Sequence, residues 1–329
     1  MRSHVVATGS ALPEGDLPSA VLDRRYRLEP GTVRSILGVD RRRVAAPHEA
    51  ASDLAVRACE QALAEGGVAR DRIGLVLLAT STPDHITPAT APLVAHRLGL
   101  DCAASDVTNT CSGWMYAAAL ADRFLRAEEE GACALVVASN ILSRRVDWRG
   151  DWRTAALFGD AAGAMVLRAE DRPGGIIATS LASDGSGYAR IQVPAGGSRT
   201  PLTEAGLAAR RHLLSIPPGA APLRDSLRLL TRVCGDALRK AGIRPDEVDR
   251  FVPHQANPRL VEAAAEGLGI PSDRVARTLE RTGNTSSASI PLALDEDARA
   301  GRLRPGDKVL LGVVAGGMTA GAMVLEWSR

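Results

Sequence analysis

Three short segments of this 329-residue sequence carry side chains whose types could act together in covalent catalysis. The segments NTCSGW, VPHQAN and GNTSSASIP contain Cys111, His254 and Asn284, respectively. A thiolate is a strong nucleophile, and imidazole and carboxamide groups can hydrogen-bond to the oxyanions that form when a carbonyl carbon is attacked. These residue types therefore predict an enzyme with a cysteine nucleophile and two assisting side chains.

Cys111 lies among small polar residues rather than among the Val, Ile and Leu residues that surround most buried structural cysteines. A long helical pattern begins directly after it, in residues 112–131, so the thiol is expected at a helix N-terminus. That position favours an anion and predicts a lowered thiol pKa. The remaining cysteines lack such a setting and are predicted to be inert thiols: Cys59, Cys102, Cys133 and Cys234.

The chain contains an internal repeat that relates the cysteine segment to the asparagine segment. Residues 57–77 and 232–252 share Arg, Cys, Ala-Leu, Gly and Asp in register, and the same offset of 175 residues places Cys111 on Ser286. The hexapeptide AGAMVL occurs twice, at 162–167 and 320–325. Repetition in one order predicts a duplicated unit, and hence two pseudo-symmetric halves, 1–170 and 171–329, with the NTCS and NTSS loops facing each other.

Each half reads as alternating helices and strands, which predicts the α/β class. Residues 51–67 have helical apolar spacing and end on glycines. Residues 73–80 and 132–139 are continuous apolar runs, typical of strands buried on both faces. In the second half the patterns predict a strand ending at the Pro-His turn before His254, then a helix, and later the strand KVLLGVVAGG. The Gly- and Pro-rich segment 193–222 is predicted to be a loop over the mouth of the active site.

Composition and charge exclude several other classes of protein. The net charge of +2 and the aromatic content of 3% disfavour a nucleic-acid partner. No apolar run approaches the length of a membrane span, and no signal peptide is recognisable at the start. Five cysteines without framework spacing indicate reduced thiols and a cytoplasmic location, and the histidines form no ligand-spaced cluster with them. We therefore expect no metal and no redox cofactor.

The sequence resembles the β-ketoacyl-acyl-carrier-protein synthase III family of the thiolase-like condensing-enzyme superfamily. The resemblance runs nearly end to end and rests on ATGSALPEG, DRRRVAAPHEAASDLA, NTCSGW, LFGDAAGAMVL, VPHQAN and GNTSSASIP. It implies a thiolase-like fold with two halves layered as αβαβα, a homodimer, acyl thioester substrates and an acyl carrier protein as partner. It also implies a Cys-His-Asn triad, which falls on Cys111, His254 and Asn284 without substitution.

The resemblance also assigns roles within the site. Cys111 would hold the acyl group, and the backbone N–H groups of Cys111 and Gly316 would stabilise the oxyanion of that step. His254 and Asn284 would donate hydrogen bonds to a malonyl-type thioester, so that the predicted reaction is a Claisen condensation. Further residues are predicted to contact the substrate: Thr87, Leu142, Phe158, Asn257, Arg259 and Met318.

The sequence departs from the family pattern where members clamp the adenine of coenzyme A and where they narrow the acyl tunnel. Thr32 and Ile36 stand where many members carry Trp and Arg, and Trp152 stands near a second basic position. Thr87 stands where a Phe often crosses the dimer. These departures predict a carrier-protein donor, an acyl group larger than acetyl, and a role in specialised polyketide or fatty-acyl-derived metabolism.

Three alternatives remain at the level of sequence. Papain-like proteases share the order Cys, His, Asn, but place the cysteine near the mature N-terminus and have no internal repeat. A relative recruited as an acyltransferase would pass the acyl group from the cysteine to an alcohol or amine. A non-catalytic partner subunit of a ketosynthase would not need to retain all three triad residues.

Overall fold

The computed structural model describes residues 1–217, 219 and 223–329, in which strands from the two halves of the chain form two separate main sheets. The strands up to residue 170 are β1 (Arg2–Ala11), β2 (Gly15–Pro18), β3 (Arg41–Val44), β4 (Ile73–Ala79), β5 (Ala103–Val107), β6 (Cys133–Asn140) and β7 (Ala161–Glu170). The later strands are β8 (Gly175–Ser183), β9 (Arg250–Pro253), β10 (Lys308–Ala315) and β11 (Thr319–Glu326).

The helices precede, connect and follow these strands. Their bounds are α1 (Ser19–Arg25), α2 (Thr32–Leu37), α3 (Ala51–Gly66), α4 (Ala91–Arg97), α5 (Gly113–Leu125), α6 (Trp152–Leu157), α7 (Glu204–Ala208), α8 (Leu223–Ala241), α9 (Pro258–Leu268), α10 (Leu279–Thr282) and α11 (Ser289–Arg299).

The two main sheets have the same strand order, which is the structural form of the sequence repeat. The first sheet runs β1-β7-β6-β4-β5, and the second runs β8-β11-β10-β9. In both, the first three strands of this order pair antiparallel, and each remaining strand pairs in parallel with the one before it. The place of β5 in the second sheet is taken by a single bridge between Phe251 and Val275. The turn from β7 to β8 joins the two sheets. The predicted boundary between the two halves, 170/171, lies at the start of this turn.

The strands β4, β6 and β10 are mostly apolar because helices cover both faces of the main sheets. Leu75 and Leu77 of β4 face a central core with α5 and α11, whereas the alternate residues Val76 and Leu78 face α3 and α4. The second sheet also contributes to the central core, and its other face packs on α8 and α9. The layers are therefore helix, sheet, helix, sheet, helix, and the predicted αβαβα arrangement is confirmed.

The local predictions are accurate for the elements and less so for their ends. The helix predicted at 51–67 is α3, and Gly67 ends it in the left-handed conformation, with φ of 57°. The helix predicted at 112–131 was too long, because α5 ends at Leu125 and a turn follows. Within the predicted loop 193–222, α7 forms a short helix, and residues 218 and 220–222 lie outside the described residues. Among the described helices, none has the length and apolar character needed to cross a membrane.

Candidate active site

Cys111 lies in a tight turn between an edge strand and the central helix. After β5, residues 110–112 form one turn of 3-10 helix, and α5 begins at Gly113. The second half has the same construction, with a 3-10 turn at 286–288 followed by α11 at Ser289. Each turn begins with a residue in the left-handed region, which is a strained conformation for the β-branched Thr110. The predicted pairing of the two loops is therefore present in the backbone.

The register of the two turns differs by one residue from the sequence repeat. The first residue of each turn has positive φ, 46° at Thr110 and 55° at Ser286. Ser286 is thus the backbone counterpart of Thr110, and Ser287 is the counterpart of Cys111, because the second chain segment passes one additional residue before its turn begins. The sequence-based match of Cys111 with Ser286 is wrong at the level of backbone geometry, although these two side chains are in contact.

The direction of the shift in the Cys111 thiol pKa is opposite to the sequence-based prediction. Burial raises this pKa above its ordinary value, and two weaker effects oppose it: a hydrogen bond from the Ser286 hydroxyl and one from the cysteine's own backbone N–H. The Ser286 Oγ lies 3.4 Å from Sγ. Desolvation of the thiolate dominates because the turn lies under the second half of the chain. The resting nucleophile is therefore a thiol whose anion is stabilised locally.

The other cysteines are far less suited to nucleophilic attack. Cys59 and Cys234 are completely buried, and burial raises the thiol pKa of Cys234 to about 12. Burial also raises the pKa of Cys102 and Cys133. None of the four borders the cavity that contains Cys111.

His254 follows β9 directly and is held in a neutral state. It is 4% exposed, and burial lowers its pKa to about 4. Its Nδ1 lies 2.6 Å from the Oγ of Ser289, which also accepts a hydrogen bond from the backbone N–H of Gln255 at 3.3 Å. With that N–H donating to it, the Ser289 hydroxyl is free to donate its own proton to Nδ1. This network favours the tautomer in which Nε2 carries a proton and can act as a donor.

Asn284 is fixed through both its backbone and its side chain. Its backbone N–H donates to the carbonyl of Leu157, and its own carbonyl accepts from Gly159. A Cβ at Gly159 would lie 2.1 Å from the carbonyl oxygen of Thr282, so only glycine permits this approach. The Oδ1 of Asn284 accepts the N–H of Ser286 at 2.8 Å. That bond leaves the amide nitrogen available as a donor.

Gly316 lies beside Cys111 in the turn after β10. The hydroxyl of Thr110 donates to the carbonyl of Gly316 at 3.0 Å, which fixes this peptide next to the cysteine turn. A Cβ at Gly316 would lie 3.0 Å from the Cβ of Ile191, so the turn packs closely against the segment that follows β8. This arrangement brings the predicted oxyanion residue to the nucleophile.

Cys111, His254, Asn284 and Gly316 line one cavity of about 360 Å³, which we call the active-site cavity. Of the six predicted substrate contacts, four also line it: Leu142, Phe158, Asn257 and Met318. Asn257 has a structural role as well, since its side chain caps α9 by accepting the N–H groups of Arg259 and Leu260. An apolar wall completes the cavity, with Leu157, Ile191, Val193, Leu214, Ile216, Leu223, Leu260 and Val314.

Two predicted contacts do not lie on this cavity. Arg259 is exposed in the first turn of α9, outside the cavity, and its contact with a carrier-borne substrate stays a prediction. Thr87 is exposed in the loop between β4 and α4, beside Ile86, which is 86% exposed. Thr87 was predicted to act across a dimer. It lies on the surface of the single chain, and its role at a dimer interface stays a prediction.

Several residues of the site were missed by sequence reasoning. Ser289 was recoverable, because it lies five residues after Asn284 within the segment GNTSSASIP, at the start of α11. Arg190, Ile191 and Gln192 lie in a short segment after β8 that carries no recognisable motif. No signal in the sequence indicated that these three residues reach the cavity.

Comparison with known proteins gives matches along nearly the whole chain. Residues 105–185 match the family model described as 3-oxoacyl-[acyl-carrier-protein (ACP)] synthase III, and residues 238–327 match the model described as its C terminal. The chain is 44% identical over 327 residues to the 3-oxopimeloyl-[acyl-carrier-protein] synthase of Rhodothermus marinus, which covers 99% of this chain and 94% of that protein.

Two further matches agree with these. The β-ketoacyl-[acyl-carrier-protein] synthase III of Symbiobacterium thermophilum is 39% identical over 326 residues, covering 99% of this chain and 98% of that protein. The crystal structure of 3-oxoacyl-(acyl carrier protein) synthase III from Pseudomonas aeruginosa superposes with a TM-score of 0.90 at 33% identity, over 100% of this chain and 99% of that one.

Proposed function

The chain belongs to the 3-oxoacyl-[acyl-carrier-protein] synthase III family of condensing enzymes, and we propose that it joins an acyl group held on Cys111 to a malonyl-type acyl-carrier-protein thioester. The observation that carries this proposal is the meeting of Cys111, His254 and Asn284 on one cavity. Neither assisting residue is charged, since burial holds His254 neutral by lowering its pKa to about 4. The product is a 3-oxoacyl thioester.

In the first half-reaction, the sulfur of Cys111 attacks the carbonyl carbon of an acyl thioester. The resulting oxyanion is stabilised by the backbone N–H groups of Cys111 and Gly316. Collapse of the intermediate breaks the bond to the departing sulfur, which takes up the proton released by Cys111. The hydrogen bond from Ser286 stabilises the thiolate during this step.

In the second half-reaction, the malonyl thioester loses carbon dioxide, and the electron pair remains as an enolate. Nε2–H of His254 and the amide N–H of Asn284 donate to the enolate oxygen, which lowers the free energy of its formation. The enolate carbon then attacks the acyl carbonyl on Cys111. A C–C bond forms, the C–S bond breaks, and the cysteine is released as thiolate.

The neutral donors favour condensation over acyl transfer to an alcohol or amine. Deprotonating such an acceptor requires a general base. The carboxamide of Asn284 cannot act as one, and His254 is a weak base, since burial lowers its pKa to about 4 and its Nε2 carries the proton in the favoured tautomer. Nor does the fold suit the papain-like alternative, which has no duplicated sheet. Retention of the nucleophile on an accessible cavity argues against a non-catalytic partner subunit.

We further infer that the acyl donor is bound to a carrier protein rather than to coenzyme A. Thr32 and the 51%-exposed Ile36 on α2 offer no stacking partner for a nucleotide base. Trp152 offers a ring nearby in α6, but the Arg153 guanidinium lies over it at 4.7 Å and covers one face. The assignment to a specialised pathway remains a prediction from these departures.

The names of the relatives differ in how closely they specify the acyl group. The name β-ketoacyl specifies no chain, whereas 3-oxopimeloyl, in the name of the Rhodothermus marinus relative, is a chain that ends in a second carboxyl group. Removing the two carbons that a malonyl unit adds leaves a five-carbon glutaryl group as the acyl precursor. Glutaryl fits the prediction of an acyl group larger than acetyl.

We also propose that the chain acts as a homodimer in the cytoplasm. Strand β5 is an edge of the first sheet with unpaired backbone groups on one side, and Ile86 and Leu93 are exposed nearby. All five cysteines are free thiols, as a reducing compartment would maintain them. Light scattering on the purified protein tests the dimer.

The experiment that tests the proposed function is acyl loading followed by peptide mapping. Purified protein offered a panel of acyl-carrier thioesters should gain one acyl mass, located on the peptide that contains Cys111. Cys111→Ala should abolish loading, whereas Cys102→Ala, which removes another partly exposed thiol, should not. Loading that survives Cys111→Ala would overturn the assignment.

A further inference from the structure

Arg190 contributes the only charged side chain among the described residues that line the active-site cavity. The remaining lining residues are apolar or carry neutral polar groups, and His254 is kept uncharged by burial. A guanidinium on a largely apolar wall is costly unless it is paired with an anion, and Asp225 pairs with only one of its nitrogens. The pocket thus has one point at which it can recognise a negative charge.

Protein contacts position the guanidinium of Arg190 and leave part of its N–H groups without a partner among the described residues. Its Nη1 donates to Oδ2 of Asp225 at 3.1 Å and lies 3.4 Å from Sδ of Met318. Neither Nε nor Nη2 donates to any described residue. The side chain is 34% exposed, so a ligand can reach these remaining N–H groups. A guanidinium has five N–H donors and commonly binds a carboxylate through two of them.

Arg190 lies on the side of the cavity near the oxyanion residues. Its neighbour Ile191 packs against Gly316, whose backbone is tied to the cysteine turn by Thr110. Ser226, in the first turn of α8 one residue after Asp225, lines the same cavity and can offer a hydroxyl donor. A chain attached to Cys111 and extending past Gly316 therefore meets this group of donors.

We propose that the acyl group carried by Cys111 ends in a carboxylate and that Arg190 binds this carboxylate. The substrate class is a dicarboxylic acid bound as a monothioester, with glutaryl as the first member to test. This inference rests on the proposed function, because it concerns the acyl group that the nucleophile accepts. Arg190 is then a specificity-determining residue, and Asp225 and Met318 position it.

An assay of the acylation half-reaction alone tests the effect of this carboxylate separately from the effects of the other anionic groups of the substrates. A malonyl thioester also carries a carboxylate, and a carrier's prosthetic arm carries a phosphate. In an acylation assay without malonyl thioester, only the acyl group and the arm are present. Comparing glutaryl with pentanoyl on the same carrier then holds the arm and the number of carbons constant.

The test measures the rate of Cys111 loading by intact mass, with glutaryl-carrier and pentanoyl-carrier thioesters offered separately. The unaltered protein should load glutaryl at least about tenfold faster. Arg190→Leu should reduce this ratio about tenfold or more, by slowing glutaryl and favouring pentanoyl, and Arg190→Lys should retain part of it. Arg239→Leu is the matched control, because Arg239 also pairs with an aspartate, Asp236, at 2.8 Å within α8, and is 70% exposed.

Three outcomes would overturn the proposal. They are equal loading of the two thioesters by the unaltered protein, an unchanged ratio in Arg190→Leu, and, in a separate assay with malonyl-carrier thioester, an effect confined to decarboxylation. An unchanged ratio with both rates lowered would assign Arg190 to the prosthetic arm, and an effect confined to decarboxylation would assign it to the malonyl group. If no thioester loads Cys111 at all, the proposed function fails as well, so the two failures are distinguishable.

Discussion

The Oγ of Ser286 donates a hydrogen bond to the Sγ of Cys111 over 3.4 Å, and this contact joins residues that are 175 positions apart in the chain. The two residues belong to the paired turns of the two halves. Burial raises the pKa of the Cys111 thiol, and this hydrogen bond is one of two local interactions that lower it. The second half of the chain therefore contributes directly to the reactivity of the nucleophile in the first.

Replacing Ser286 by alanine should make Cys111 a weaker nucleophile. Loss of the hydrogen bond raises the thiol pKa further, so that alkylation by iodoacetamide at neutral pH should slow about three- to tenfold. The pH dependence of the alkylation rate gives the thiol pKa directly. Ser287→Ala is the control, since Ser287 contacts Asn140 and Ala79 rather than the sulfur. Equal alkylation rates for the two variants would show that the Ser286 hydroxyl does not influence the reactivity of Cys111.

The two half-reactions should separate in variants of the donor residues. His254→Ala and Asn284→Ala should still accept an acyl group on Cys111, because the oxyanion of that step is held by backbone N–H groups. Decarboxylation of malonyl-carrier thioester should fall about 100- to 1,000-fold in each. Release of labelled carbon dioxide measures this step. A near-normal rate in Asn284→Ala would show that the enolate is stabilised elsewhere.

Acidification should destabilise the protein through His254. Its folded-state pKa of about 4 lies below the unfolded value of 6.5, so the unfolded chain binds more protons between these pH values. The contribution to stability is present above pH 6.5 and is lost as pH falls towards 4, by up to about 3 kcal/mol. Urea unfolding of wild type and His254→Gln should show a shallower pH dependence in the variant, with His96→Gln as a surface control. Parallel curves would contradict the buried, neutral histidine.

Carrier-bound donors should load Cys111 faster than coenzyme A thioesters of the same acyl group. The missing clamp at Thr32 and Ile36 removes contacts worth roughly 0.5–2 kcal/mol each, which corresponds to about one to two orders of magnitude in affinity. The double substitution Thr32→Trp with Ile36→Arg should therefore improve coenzyme A loading selectively. A wild-type protein that loads acetyl-CoA faster than any carrier thioester would refute the assignment of the donor.

The fold and the triad could be predicted from the sequence because local patterns determine them. Continuous apolar strands, glycine helix ends and the repeated segments indicated two layered α/β halves, and the positions of His254 and Asn284 followed from their motifs. The turn before α5 is indicated by its small polar residues. Apart from the repeat, which relates segments 175 residues apart, each of these signals depends on neighbours within a few positions along the chain.

The features that could not be predicted depend on packing between distant segments. The pKa of the Cys111 thiol is raised because the second half buries the turn, and no local pattern reports that desolvation. The one-residue shift between the turns is visible only in the φ angles of Thr110 and Ser286. Arg190 reaches the cavity because Ile191 packs on Gly316, a contact between segments more than a hundred residues apart.

In the proposed reaction, the acyl group on Cys111 becomes part of a new C–C bond. This bond is detected by the mass and fragmentation of the product formed when acyl-loaded protein receives carbon-13-labelled malonyl-carrier thioester. We expect a 3-oxoacyl-carrier thioester that contains the acyl group plus two labelled carbons, with one carbon dioxide released for each product. A product in which the acyl group is joined through oxygen or nitrogen, with malonyl-carrier unchanged, would contradict it.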